Sequence, residues 1–146
     1  MQLSTKGRYA VMAMVDMARA GEGRVTPLAD IAARQEISVA YLEQLFARLR
    51  RAGLVCSVRG PGGGYRLARP AAQTDVAAII HAVDEPTAVT RCGVHAPGGC
   101  LAAGARCLTH DLWAALEGEI EGFLARVTLD DIVHRRVRPT REAVAA

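Results

Sequence analysis

SVAYLEQLFARLRRAGLVCSVRGPGGGYRL, residues 38–67, holds a helix and two strands in succession. Ser38 is a natural N-cap, because its hydroxyl can accept a hydrogen bond from a free first-turn amide. The run that follows places Leu42, Leu45, Phe46 and Leu49 at steps of three and four, which is one apolar stripe of a helix. Arg48, Arg50 and Arg51 fall off that stripe, and Gly53 closes the helix. LVCSVRG, then PGG, then GYRLA reads as strand, glycine turn and strand. The glycines do not make a phosphate loop. Such loops open a helix, and the Walker form ends in Lys and Ser or Thr, whereas here a second strand follows.

Upstream, a helix is expected from about Lys6 to Ala20, capped by Ser4 or Thr5 and ended by Gly21 and Gly23. Thr26 and Pro27 open a short helix, PLADIAARQE, with Pro27 in the first turn, where its missing N–H costs nothing. A tight turn through Glu36 and Ile37 then leads to Ser38. Two helices joined by a short turn, the second rich in polar and basic side chains, have the layout of a helix-turn-helix. The hairpin behind them is expected to be a wing, with Arg59 and Arg66 flanking its tip and reaching toward phosphates or a groove. The fold class is therefore mainly α with a small β-hairpin wing: a winged helix-turn-helix followed by a long dimerisation helix.

Charge agrees with this division. Residues 1–70 carry eleven Lys and Arg against five Asp and Glu, and residues 71–127 carry three against seven. A basic first half is the electrostatic footprint of a nucleic-acid binder. The N-terminal run YAVMAMV after Lys6 and Arg8 is too short for a signal peptide, since Asp16 interrupts it and Arg19 follows. No run reaches the eighteen or so apolar residues of a membrane span, so no membrane partner is expected. The expected location is the cytoplasm, where thiols stay reduced and clustered cysteines signal metal or redox chemistry. No nucleophile, base and orienting residue group together in the sequence, so an enzyme is not expected.

The second half starts with Thr74 or Asp75 capping DVAAIIHAVDE. From Thr109 onward, Trp113, Leu116, Ile120, Phe123 and Val127 give one long helix with a narrow apolar seam, which suits a two-fold homodimer. Between them lies RCGVHAPGGCLAAGARCLTH, residues 91–110. Cys92, Cys100, Cys107 and His110 supply three thiolates and an imidazole, separated by seven, six and two residues. Structural zinc loops usually contain a tighter cysteine pair, while an iron-sulfur cluster accepts wider spacing and one imidazole ligand, and the residues alone leave both open. His95 is a candidate substitute ligand that reads more readily as a bystander, Cys56 reads as a small buried side chain, and His81 and His134 show no partner. The division expected is a DNA-binding domain over residues 1–70, a packing helix, cysteine loop and dimerisation helix over 71–132, and a disordered tail over 133–146.

The segments LSTKGRYAVMAMVDMA, PLADIAARQEIS, YLEQLFARLRRAGLV, SVRGPGGGYRLA and RCLTHDLWAALEGEIEGFL resemble the IscR family of bacterial iron-sulfur cluster assembly regulators. The resemblance covers nearly everything before the tail, and YLEQLF followed by VRGPGGGY is specific to that family. It implies a winged-helix homodimer that carries a [2Fe-2S] cluster received from the cluster assembly machinery. Such a regulator represses or activates genes of cluster biogenesis at double-stranded operator DNA. Carried across motif by motif, Cys92, Cys100, Cys107 and His110 would bind the cluster, and Tyr41, Glu43, Gln44 and Arg59 would face DNA. Ser38, Arg50, Gly62 and Arg66 complete the candidate DNA surface. The cysteine spacers are longer here than the family's, and Ala40 stands where its pattern has a serine. Sibling sensors of nitric oxide or iron, which usually lack the CxxH ending, are the alternative reading. A cluster carrier with merely structural helices is the alternative of another class.

Overall fold

Helix α1 (Thr5–Ala20) begins where the Ser4 hydroxyl accepts a hydrogen bond from the Lys6 amide, and it ends at Gly21, in a conformation with φ of 109°. The computed structural model describes residues 3–92 and 98–139. Helix α2 (Leu28–Gln35) follows Pro27, which sits at the N-cap position, one place before the first turn expected for it. Helix α3 (Val39–Arg51) carries the expected Ser38 cap, its hydroxyl accepting from the Tyr41 amide. The hairpin is β1 (Val55–Val58) against β2 (Gly64–Leu67), antiparallel, in register from Val55↔Leu67 to Val58↔Gly64.

Thr26 does not cap α2. It exchanges backbone hydrogen bonds with Tyr65, at 2.7 and 2.9 Å, and so lies beside β2 as a third, one-residue strand. That close approach requires Gly64, because a Cβ there would meet the Thr26 carbonyl oxygen at 2.3 Å. A side chain at position 64 would therefore push the wing away from α2.

After a 3-10 turn (Ala71–Gln73), α4 (Val76–Ala82) is capped by Asp75, one of the two caps expected. Helix α5 (His110–Arg126) follows the cysteine loop. The expected single long helix breaks at Val127, and a further helix, α6 (Leu129–Val133), starts from a capping box in which Thr128 and Asp131 satisfy each other's backbone amides. Arg136 pairs with Asp130 and Asp131, which ties residues 134–136 of the expected tail back to α6. Residues 140–146 of the expected tail lie outside the described residues.

The core is built from Ala10, Ala13, Met14 and Met17 of α1, Ile31 of α2, the full stripe Leu42, Leu45, Phe46 and Leu49 of α3, and Val55 and Leu67 of the hairpin. Ile79 and Val83 from the α4 region and Leu129 from α6 enter the same core. The chain beyond residue 70 is therefore continuous in packing with the winged helix. Asp16 of α1 is buried and accepts hydrogen bonds from Arg34 Nε and Nη2 and from Gln35 Nε2, which locks α2 onto α1. Among the described residues no helix is long and apolar enough to cross a membrane.

Candidate metal centre and nucleic-acid interface

The loop that carries the cysteines leaves α4 through a latch. Glu85 is buried and accepts hydrogen bonds from the Ser4 amide at 2.8 Å and from the Ser4 hydroxyl. Those bonds hold its carboxyl below the usual carboxylate range, the hydroxyl bond being the largest cause. Asp84, in a left-handed conformation with φ of 53°, pairs with Arg48 of α3, and its carbonyl accepts from Lys6 Nζ. The start of the loop is thus tied to both α1 and α3. None of these contacts was foreseen from sequence, because partners 36 to 81 residues apart leave no periodic signal.

Further on, the Cys92 amide donates to the Thr90 hydroxyl at 3.1 Å. The loop then folds on itself, with the Cys100 and Leu101 amides donating to the Ala105 carbonyl at 3.0 and 3.1 Å. Only glycine fits at position 99, where a Cβ would meet the Gly104 carbonyl oxygen at 2.2 Å. The His110 amide donates to the Cys107 carbonyl at 3.0 Å, which brings the CLTH end round into the first residue of α5.

These turns bring the four sequence-predicted ligands together. Cys92, Cys100 and His110 are buried, and their ligand atoms lie within 4.8 Å of one another. Cys107 joins them through Cys92, sulfur to sulfur at 3.6 Å, while Cys100 Sγ lies 3.1 Å from His110 Nδ1. The Cys92–Cys107 separation of 3.6 Å is close to the about 3.8 Å between two thiolates bound at about 2.3 Å to one tetrahedral ion. The protons are unequally held. The hydrogen bond with Thr109 lowers Cys107 to about 7, whereas interaction with the Cys100 thiol, followed by burial, raises Cys92 to about 11. Cys107 therefore enters a metal site as thiolate more readily than Cys92. Thr109 also accepts from the Trp113 indole at 3.2 Å, a supporting role that sequence reasoning missed. His95 lies outside the described residues.

At the candidate DNA-facing helix, the cap Ser38 and Glu43, Gln44 and Arg50 of α3 are exposed, with Tyr41 half-buried edge-on against Tyr9 at 5.9 Å. Arg59 and Gly62 occupy the exposed wing tip. Arg66 does not flank the tip as expected. It pairs with Cys56, two positions back from the Val58↔Gly64 end, and alternation puts it on the face opposite Tyr65, whose ring packs on Phe46 of α3. Arg66 lines a hollow at the wing base with Glu22, Gly23 and Arg69. Cys56 is half-buried rather than buried.

Helix α5 presents an unexpected face to its own chain. Its buried residues are His110 and Glu117, and Glu121 Oε1 pairs with His81 Nε2 at 2.9 Å, so His81 has the partner that sequence reading did not see. His134 has one too, Asp130 Oδ1 at 3.1 Å. At about 100° per residue, the apolar seam is centred about 100° round the helix from this polar face. Trp113, Leu116, Ile120 and Val127 of the seam are half-exposed and Phe123 is exposed.

Residues 3–135 match the Rrf2 model, described as an iron-dependent transcriptional regulator. The chain belongs to the Rrf2 family. This Rrf2 chain is 53% identical to the HTH-type transcriptional regulator IscR of Cronobacter sakazakii over 136 residues, which is 93% of this chain and 82% of that one. It is 52% identical to IscR of Escherichia coli over the same shares. Among solved structures, IscR of T. potens superposes with a TM-score of 0.75 at 35% identity, covering 99% of this chain and 94% of the other. CymR of B. subtilis, described as the global cysteine regulator, superposes with a TM-score of 0.77 at 31% identity, covering 92% and 98%. As an Rrf2 protein it is a winged-helix transcriptional regulator, with cysteines and a histidine placed to bind metal.

Proposed function

We propose that this Rrf2 protein is a cytoplasmic, homodimeric regulator that holds a [2Fe-2S] cluster on Cys92, Cys100, Cys107 and His110. It controls genes of iron-sulfur cluster biogenesis at double-stranded operator DNA, and the cluster assembly machinery is the donor. The observation that carries this reading is the convergence of three thiols and one imidazole on a glycine-turned loop, in two close pairs, Cys92 with Cys107 and Cys100 with His110. A set of two ligand pairs suits a two-iron cluster, with imidazole at one of its positions. Bound there, the cluster would supply a charge whose presence depends on cluster supply.

The chain's own residues do the rest. His110 is the first residue of α5, and the latch through Asp84 and Glu85 connects the loop to α3 and α1, so ordering the loop bears on the DNA-facing helix. Ser38, Tyr41, Glu43, Gln44 and Arg50 would meet the groove, with Arg59 and Gly62 of the wing beside them. Arg66, at the wing base, contributes long-range positive charge. The seam of Trp113, Leu116, Ile120, Phe123 and Val127 would pair with that of a second copy, since the apolar surface it leaves partly exposed costs stability that a partner restores. Leu108 and Leu112, also exposed, extend that surface toward the cluster loop.

The experiment is operator binding by cluster-loaded and cluster-free protein, measured on promoter DNA of cluster-assembly genes. The reading predicts tight binding that differs between the two forms at one class of site. Identical affinities at every such promoter would contradict it.

A further inference from the structure

We propose that Val39 and Ala40, on the first turn of α3, form an apolar edge that selects a thymine by its 5-methyl group in the major groove. Val39 is 41% exposed and is the one large apolar side chain left exposed within residues 5–70, whereas Leu42, Leu45, Phe46 and Leu49 of the same helix are at most 2% exposed. Ala40 is exposed beside it. Single exposed apolar side chains are ordinary on protein surfaces, and what distinguishes this pair is its place. Ser38 caps α3, so Val39 and Ala40 are its first two residues. In a helix-turn-helix it is the N-terminal residues of the second helix that reach base edges. The inference rests on the proposed reading of α3 as the groove-facing helix.

Helix geometry puts the pair among the polar residues of that face. At about 100° per residue, Ala40 falls within about 10° of the direction opposite the centre of the buried stripe, on one ridge with Gln44 and Ala47, all three exposed. Val39 stands to one side of that ridge, one turn before Glu43. The polar members have suitable base partners: a Gln amide can bond bidentately to adenine, and a Glu carboxylate can accept from the cytosine amino group. Val39 and Ala40 have no side-chain donor or acceptor. The base-edge feature they can reward is the thymine methyl, the apolar group displayed in the major groove. An adenine read by Gln44 carries a thymine on the other strand of the same pair, so the amide and the apolar edge act on the same or neighbouring pairs. Ala40 also gives this chain a methyl where the serine of the IscR pattern would offer a hydroxyl, which can bond to several bases. Glu43 selects by repelling wrong partners, and Val39 and Ala40 add an attractive element beside it.

Duplex DNA is the probe. A tight site is selected from random duplexes with anaerobically purified full-length protein, and each thymine of its half-site is then replaced in turn by deoxyuridine, which removes the methyl group alone. The expected result is a thymine position where the replacement weakens binding about fourfold per half-site, the worth of about one buried methyl. In Val39→Ala with Ala40→Gly that penalty should disappear. If deoxyuridine weakens binding at no position, or by the same factor in the folded double variant, the proposal is overturned while the DNA-binding reading stands. Failure to select any duplex would sink that reading and the proposal with it. Should the double variant not fold, Ala40→Ser decides. A repeated selection with it should move the preference at that base pair away from thymine, and an unchanged preference overturns the proposal.

Discussion

Asp16→Ala removes the acceptor that holds α2 in place, and its cost can be worked from the contacts. Asp16 is buried and receives Arg34 through Nη2 at 2.7 Å and Nε at 3.0 Å, and Gln35 at 2.9 Å. Removing one partner of a fully buried ion pair costs about 3–5 kcal/mol, but half of the Arg34 side chain is exposed and can rehydrate. What remains is the loss of hydrogen bonds to a charged group and of the fixed position of α2, about 2 kcal/mol. In a chain of this size that is a fall of about 7 °C in Tm. The carboxylate also has a pH signature. Burial acts to raise its pKa, and the bonds from Arg34 and Gln35 outweigh burial, so the folded value lies below the unfolded one. The contribution is therefore complete above an unfolded value of about 3.9 and is lost as pH falls through the lower folded value. Differential scanning calorimetry of wild type and Asp16→Ala should show the gap in Tm at pH 7 and its narrowing below pH 4. A gap under about 2 °C at pH 7, or one that widens in acid, would refute the reasoning.

Leu116→Asp with Ile120→Asp puts two charges on the half-exposed seam of α5 and should yield monomers by light scattering, with weakened operator binding; an intact dimer would remove the seam from the interface. Arg59→Ala at the wing tip should weaken operator binding by about 1–3 kcal/mol if the side chain enters a groove, with log K falling linearly with log salt for both proteins. Equal affinities at every salt concentration would exclude that contact. Glu43, exposed on α3, carries a carboxylate that phosphates and the acceptor edge of guanine repel, so in protein lacking the three ligand cysteines Glu43→Ala should restore binding at cluster-dependent operators. Unchanged weak binding there would assign the coupling to dimer geometry.

The winged helix was legible because local rules agree there. Ser38 caps, Gly53 ends, Leu42 to Leu49 face inward, and the glycine turn joins two strands, each within a few residues. That the loop could bind metal was equally legible, since thiols are rare and three fall in sixteen residues, 92–107, and Cys92, Cys100 and His110 do lie together. What escaped depends on distant partners. Thr26 reads as part of the opening of α2 until Tyr65 claims its backbone, and Arg66 reads as a tip residue until the register fixes it beside Cys56. The end of α5 was missed although Thr128 and Asp131 form a capping box, because the apolar spacing runs on to Val127. Apolar periodicity likewise located the seam but could not show that α5 turns His110, Glu117 and Glu121 toward its own chain.

Iron and acid-labile sulfide content of anaerobically purified protein, with its visible absorption spectrum, tests the central claim most directly. The account predicts coloured protein with two irons and two sulfides per chain, lost on replacing Cys92, Cys100 or Cys107 by Ala and altered in spectrum by His110→Ala, as a three-thiolate, one-imidazole cluster requires. Colourless protein with zinc held by the same cysteines, or a cluster indifferent to His110, would contradict it.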